Sequence, residues 1–206
     1  MKIGEIKIEA LKLMRENVHE DITFADLPEL YESRNYGDLL VNMNASISRA
    51  LDRIAALDKL PLAVVELTDY LDRETPYSMR YYISDISDYD CIFRVVHESE
   101  YEYDDNIPAR FEGSSILILP KINHGEYRLI YQAKPPRVTA NSIDGDNLRI
   151  SDKLARLIPY FIKSELYEEE EPAIAQAARA AFENGISEVE TPDRNPQRMI
   201  KKVLRY

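Results

Sequence analysis

The sequence predicts an α+β fold: a small helical bundle of two N-terminal and two C-terminal helices, with an antiparallel β domain inserted between the pairs. Three observations carry this. Apolar residues recur at three- and four-residue steps over the first 60 residues and again from residue 151. Between 62 and about 150 the pattern changes to short runs rich in Ile, Val and Tyr, broken by Pro, Gly, Asn and Asp. No helical pattern separates those runs, which argues against a parallel βαβ sheet.

Residues 3–15 read as a helix through Ile3, Ile6, Ala10, Leu13 and Met14. A polar stretch over 16–21 ends it, and 25–33 holds a short helical turn. The clearest helix of the first half spans 38–57, where Leu40, Met43, Ile47, Leu51, Ile54 and Leu57 form one stripe, read as a packed core face. Pro61 closes it. Strands are expected at 62–67, 78–83, 91–96, 115–119, 127–132 and 137–139. Asn123-His124-Gly125 reads as a hairpin turn joining 116–119 to 127–131. Helix returns at 151, where Ser151 or Asp152 caps the first turn. Leu154, Leu157, Ile158, Phe161, Ile162 and Leu166 give it a wide apolar face, and Pro159 kinks or splits it near 155–159. Pro172 suits the first position of an alanine-rich helix over 172–184, with Phe182 as its large anchor and Gly185 as its stop. The expected division is 1–60 for the N-terminal helices, 61–150 for the β domain, 151–187 for the C-terminal helices and 188–206 for an arm. Neither helical pair buries its stripe alone, so the two must meet.

Composition bounds the function. A chain of 206 residues buries about 70% of its unfolded surface and needs no disulfide or metal staple. With 26 basic and 37 acidic residues the net charge is −11, which excludes a basic nucleic-acid module for the chain as a whole. Cys91 is the single cysteine, so no intrachain disulfide forms and a Cys-based zinc site is excluded. No apolar run approaches the roughly 20 residues of a membrane span, and residues 1–5 lack a signal-peptide core. A cytosolic protein, or one assembled in a cytosol, is expected.

The chemical inventory is sparse. With six glycines and no Gly-rich phosphate motif, no phosphate cradle is visible. His19, His97 and His124 lack metal-ligand spacing, and the latter two read as ordinary surface groups. Cys91 has no adjacent basic residue and reads as a buried structural thiol. Glu168–Glu171 reads as a solvated helix junction. Asp85, Asp88, Glu98, Glu100, Glu102, Asp104 and Asp105 read as a solvated acidic set, although a two-carboxylate hydrolase can hide in such a set. No catalytic, cofactor-binding or metal residue is assigned, and no cofactor is expected. Two other surface features stand out. Ala173, Ala177, Ala178 and Ala181 offer small side chains for close helix packing between subunits. Arg194, Arg198, Lys201, Lys202 and Arg205, against Asp193, give residues 191–206 of the C-terminal arm +4 on a chain of −11. With Ile200, Val203, Leu204 and Tyr206 they predict an arm that orders on docking to an acidic partner or neighbouring subunit. Direct DNA contact by its basic residues is the competing reading.

The stretch 157–175, from Leu157-Ile158-Pro159-Tyr160-Phe161 through Glu168-Glu169-Glu170-Glu171-Pro172-Ala173-Ile174-Ala175, resembles the final helical pair of phage head–tail adaptor (connector) proteins. That pair is an apolar helix ending in acids, a proline-marked break, then an alanine-rich helix. Residues 41–54 are similar to the family's long second helix, and 82–89 and 125–131 to strands of the β insertion in larger members. The resemblance spans about 40–187. It implies a structural virion protein without a catalytic site: a homo-oligomeric ring, usually twelvefold, beneath the portal, extending the DNA channel and docking the tail or next neck protein for DNA ejection. The implied partners are the portal protein, a tail or neck protein, further copies of the chain, and passing double-stranded DNA without specific binding; no membrane is implied. Localisation would be the virion neck, after synthesis in the host cytoplasm. Part of the acidic set would then face the channel or the next neck ring, where negative charge keeps DNA from sticking. The arm would dock on the portal or an adjacent subunit. A cytosolic interaction module of a non-viral assembly and a carboxylate-dependent enzyme are the alternative readings.

Overall fold

The computed structural model describes residues 1–14, 22–67, 77–98, 103–104, 107–121, 126–139 and 141–190. It has the expected α+β class, divided into two compact units: Met1–Lys59 with Pro135–Thr191, and a unit built on Leu60–Lys134.

The first unit holds α1 (Ile3–Met14), a 3-10 turn (Phe24–Asp26), α2 (Leu27–Glu32), α3 (Gly37–Ala56), α4 (Asp152–Ala155), α5 (Ile158–Leu166) and α6 (Pro172–Glu188). The two helical ends of the chain meet, with α5 packed on α1, α3 and α6. The α3 stripe is core: Leu40, Met43, Ile47, Leu51 and Ile54 have no exposed surface. Ser151 caps α4, its Oγ accepting the Leu154 N–H at 3.4 Å. Pro159 splits this helical region between α4 and α5 and sits in the first turn of α5, where its missing N–H leaves no bond unmade. Bidentate pairs tie α3 to both C-terminal helices. Arg49 donates to Glu165 at 2.7 and 2.8 Å, and Arg53 to Glu183 at 2.9 and 3.0 Å.

Two local expectations fail for definable reasons. Gly185 does not stop α6, which continues to Glu188 and so buries Ile186. A Cβ at Gly185 would overlap the Leu157 side chain, so the glycine serves close approach rather than termination. Residues 137–139 form no strand. Their backbone is satisfied by side chains of α3: Val138 N–H donates to Ser48 Oγ at 2.9 Å, Ser48 Oγ donates to the Val138 carbonyl at 2.7 Å, and Asn44 Nδ2 donates to the Thr139 carbonyl at 3.0 Å.

The polar knot of this unit is Lys7, whose side chain has no exposed surface. Its ammonium lies 2.8 Å from Asp144 and donates to the Tyr31 hydroxyl at 2.6 Å. Burial pulls the Lys7 pKa below its ordinary value, opposed by Asp144. Burial first, and then Asp144, push Tyr31 well above its own. The same loop supports the backbone of α1, because Ile3 and Gly4 N–H donate to the Asp146 and Asp144 carbonyls at 3.0 and 2.9 Å. At Gly4 a Cβ would stand 2.5 Å from both Leu27 and Phe24, so its absence lets α2 and the turn before it close on α1.

The second unit contains β1 (Leu62–Leu67), β2 (Ser78–Tyr82), β3 (Tyr89–Glu98), β4 (Tyr103–Asp104), β5 (Arg110–Glu112), β6 (Ile116–Pro120) and β7 (Glu126–Ala133). They form two antiparallel sheets, in orders β1-β7-β3-β4 and β2-β6-β5. The expected hairpin between 116–119 and 127–131 is therefore not made: β6 and β7 belong to different sheets, whose facing sides share one core. Leu117, Leu119 and Tyr81 from one sheet meet Tyr127, Leu129 and Tyr131 from the other. Tyr127 also donates to the Pro120 carbonyl at 2.8 Å, and Tyr131 to Asp88 at 2.9 Å.

Two β-bulges in β3 explain a further pair of corrections. Register shifts lie between Tyr89 and Cys91 and between Ile92 and Arg94, so Tyr89, Ile92 and Val95 share the core side despite three-residue spacing. Cys91 is thereby exposed, not buried. His97, expected at the surface, is buried opposite Tyr127, with ring centroids 5.6 Å apart.

Gly185→Ala should destabilise the chain by about 1–3 kcal/mol through overpacking on Leu157, read as a lowered urea midpoint. Asp144→Ala should cost about 3–5 kcal/mol because it strands a buried charge, whereas Lys7→Met, which removes the charge itself, should be far milder. Tyr127 and Tyr131 are each pushed up to about 12, chiefly by burial, so their contribution to stability is complete below pH 10.0 and lost as pH rises through about 12. A denaturation series over that range should show the loss, and Tyr131→Phe should flatten it.

Candidate assembly surfaces

The two sides of α6 differ. Ala175, Ala178, Phe182 and Ile186 turn into the core, where Phe182 meets Phe161 edge-on at 4.9 Å. Ala173, Ala177 and Ala181 follow one another at four-residue steps on the exposed side, beside Ile174, which is 36% exposed. Ala178 leaves the expected inter-subunit set. At 5% exposure it packs within its own chain.

The described members of the acidic set differ in their surroundings. Asp85 and Asp104 are exposed. Asp88 is half-buried and holds the Tyr131 hydroxyl. Glu98 pairs with Arg128, which also reaches Glu66 at 3.2 Å and so links three neighbouring strands, β3, β7 and β1. Glu100, Glu102 and Asp105 lie outside the described residues, as do Arg194, Arg198, Ile200, Lys201, Lys202, Val203, Leu204, Arg205 and Tyr206 of the arm. Glu168, Glu169, Glu170 and Glu171 are exposed, as expected of a solvated junction.

One surface was not anticipated. A groove of about 700 Å³ runs between α1 and the α4–α5 segment. One wall is Met1, Glu5, Glu9 and Leu13, and the other is Asp152, Arg156, Pro159 and Tyr160. Both walls are ladders of four-residue steps, and this spacing is the signal available in the sequence. Glu5 accepts the Lys2 N–H at 2.7 Å, and Asp152 lies 3.1 Å from the Met1 nitrogen. Glu9 and Asp152 side chains are 54% and 76% exposed.

Among the described residues no group of three or more His, Cys, Asp or Glu is placed to hold a metal ion, and no helix is long and apolar enough to cross a membrane. The features that stand out are an exposed helix ridge, an acid-rimmed groove and a charged sheet surface. The chain belongs to the SU10 adaptor protein family, whose description matches residues 1–201. It is thus a phage adaptor protein, a virion component that interacts with other head and tail proteins. No curated protein matches the chain.

Proposed function

We propose that the chain is a non-enzymatic head–tail adaptor that forms a homo-oligomeric, twelvefold ring beneath the portal in the virion neck. The ring extends the DNA channel and docks the tail or next neck protein for DNA ejection, and the chain is made in the host cytoplasm. The observation that supports this most is the two-sided α6 in a chain of the adaptor family: one side completes the core, and Ala173, Ala177 and Ala181 remain outside it. Small side chains on an exposed helix let a neighbouring subunit approach closely, and a heterologous contact that closes makes a ring. The net charge of −11 suits a channel wall that passes DNA without holding it, and Asp85 and Asp104 lie at the surface, where they would face that wall or the next neck ring. The arm 194–206 brings basic and apolar side chains to the portal or an adjacent subunit.

Ala177→Leu should leave the monomer folded, because its side chain lies outside the core, and should reduce ring formation in negative-stain images and portal co-sedimentation. Wild-type assembly of this variant would remove the α6 ridge from the interface. Deletion of 194–206 should weaken portal co-sedimentation. Salt-sensitive binding of the full chain to free duplex DNA, lost on deletion, would assign the arm to DNA instead.

A further inference from the structure

We propose that the groove between α1 and the α4–α5 segment is the receptor for the C-terminal segment 194–206 of a neighbouring copy. This rests on the adaptor-ring reading and names the surface that one subunit offers the next.

Charge is the first argument. Glu5, Glu9 and Asp152 line the groove against two cations, the Arg156 side chain and the Met1 ammonium 3.1 Å from Asp152, which leaves its lining net negative. The segment carries Arg194, Arg198, Lys201, Lys202 and Arg205 and, from 194 onward, no Asp or Glu. In a chain of net charge −11 this is its most basic stretch, so an acid-rimmed groove is a complementary destination for it. Shape and polarity are the second argument. Leu13, Pro159 and Tyr160 give the groove apolar surface between its acids. Ile200, Val203, Leu204 and Tyr206 supply apolar side chains between the basic ones. A purely electrostatic contact would need neither set.

The chain leaves α6 close to one groove wall of its own subunit. At the end of α6 the Val189 carbonyl accepts from Lys59 at 2.5 Å, and Gly185 lies against Leu157, the residue next to Arg156 in the groove wall. Residues 191–206 extend up to about 50 Å when stretched, enough to leave their own subunit and enter another. Groove and segment are different surfaces of the same chain. Used head to tail, each copy gives one segment and receives one, which is the heterologous arrangement that closes into a ring.

The test uses full-length chains. Unlabelled and 15N-labelled protein are purified separately, mixed, allowed to assemble alone or on the portal, and treated with a water-soluble carbodiimide that joins carboxylates to lysine amines. The expected result is heavy–light hybrid peptides joining Lys201 or Lys202 to Glu5, Glu9 or Asp152. Links confined to peptides of one isotope would show the segment folding back on its own chain. Links to other carboxylates, such as Glu168–Glu171, would place it elsewhere. Either result overturns the proposal. A second measurement is independent of cross-linking. Glu9→Lys with Asp152→Lys, both at exposed positions, should weaken self-association about tenfold or more by sedimentation. Adding Lys201→Glu and Lys202→Glu should restore it. Unchanged self-association of the groove variant would overturn the proposal. Loss of portal co-sedimentation with hybrid links intact would count against the portal reading and leave the groove assignment standing.

Discussion

A lysine with no exposed surface must be met by fixed partners, and Lys7 organises the helical unit around that need. Its ammonium draws Asp144 from the loop before α4 and Tyr31 from α2 onto one point of α1. The loop that brings Asp144 also accepts the Ile3 and Gly4 N–H groups, two of the four donors that the start of any helix leaves unpaired. One short segment thus compensates a buried charge and caps a helix. It does so from a position far along the chain, after the β unit has been completed. Breaking the pair from the Asp144 side strands the Lys7 charge, whereas the two capping acceptors are backbone carbonyls and do not depend on the carboxylate.

The helical unit fixes the surfaces offered for assembly. With α1 anchored at its start, Lys163 donates to the Leu13 carbonyl at 2.9 Å and Tyr167 to the Met14 carbonyl at 3.0 Å, so α5 is registered along α1. The groove is the channel left beside that registered pair. On the other flank, α5 carries α6 through Phe161–Phe182 and through the approach of Gly185 to Leu157. Close packing inside the subunit and the exposed alanine ridge outside it are therefore two faces of one helix. A substitution that shifted α6 inward or outward would alter both.

What could be read from the residues alone divides along physical lines. Helices with a one-sided stripe, such as Leu40 to Ile54, announce both their span and their buried side because 3.6-residue periodicity encodes both. Pro159 and Ser151 act through local backbone chemistry and were equally readable. Five of the six expected strand positions followed from composition, but 137–139 is not a strand, and neither the short β4 and β5 nor the strand partners were foreseen. Residues 116–120 and 126–133 are neighbours in sequence, yet their hydrogen bonds go to different sheets. The bulges in β3 moved Cys91 outward, and no periodicity rule foresees an inserted residue. Gly185 looked like a stop because its real constraint, the Leu157 side chain, lies on another helix. The same holds for the candidate surfaces. The exposed alanines were recognisable as a set, while Ala178 needed the packed structure to assign it inward. The two ladders of the groove were present at 1, 5, 9, 13 and 152, 156, 160, but nothing local says that they face each other.

The central claim is that this adaptor assembles through its helical unit, by the exposed side of α6 and the α1/α4–α5 groove. Hydrogen–deuterium exchange on the isolated chain and on the portal-bound assembly tests it most directly. Residues 172–181 and the segments 1–13 and 152–160 should gain protection on assembly. Protection gained only within 60–134, with those helices exchanging as in the free chain, would contradict it.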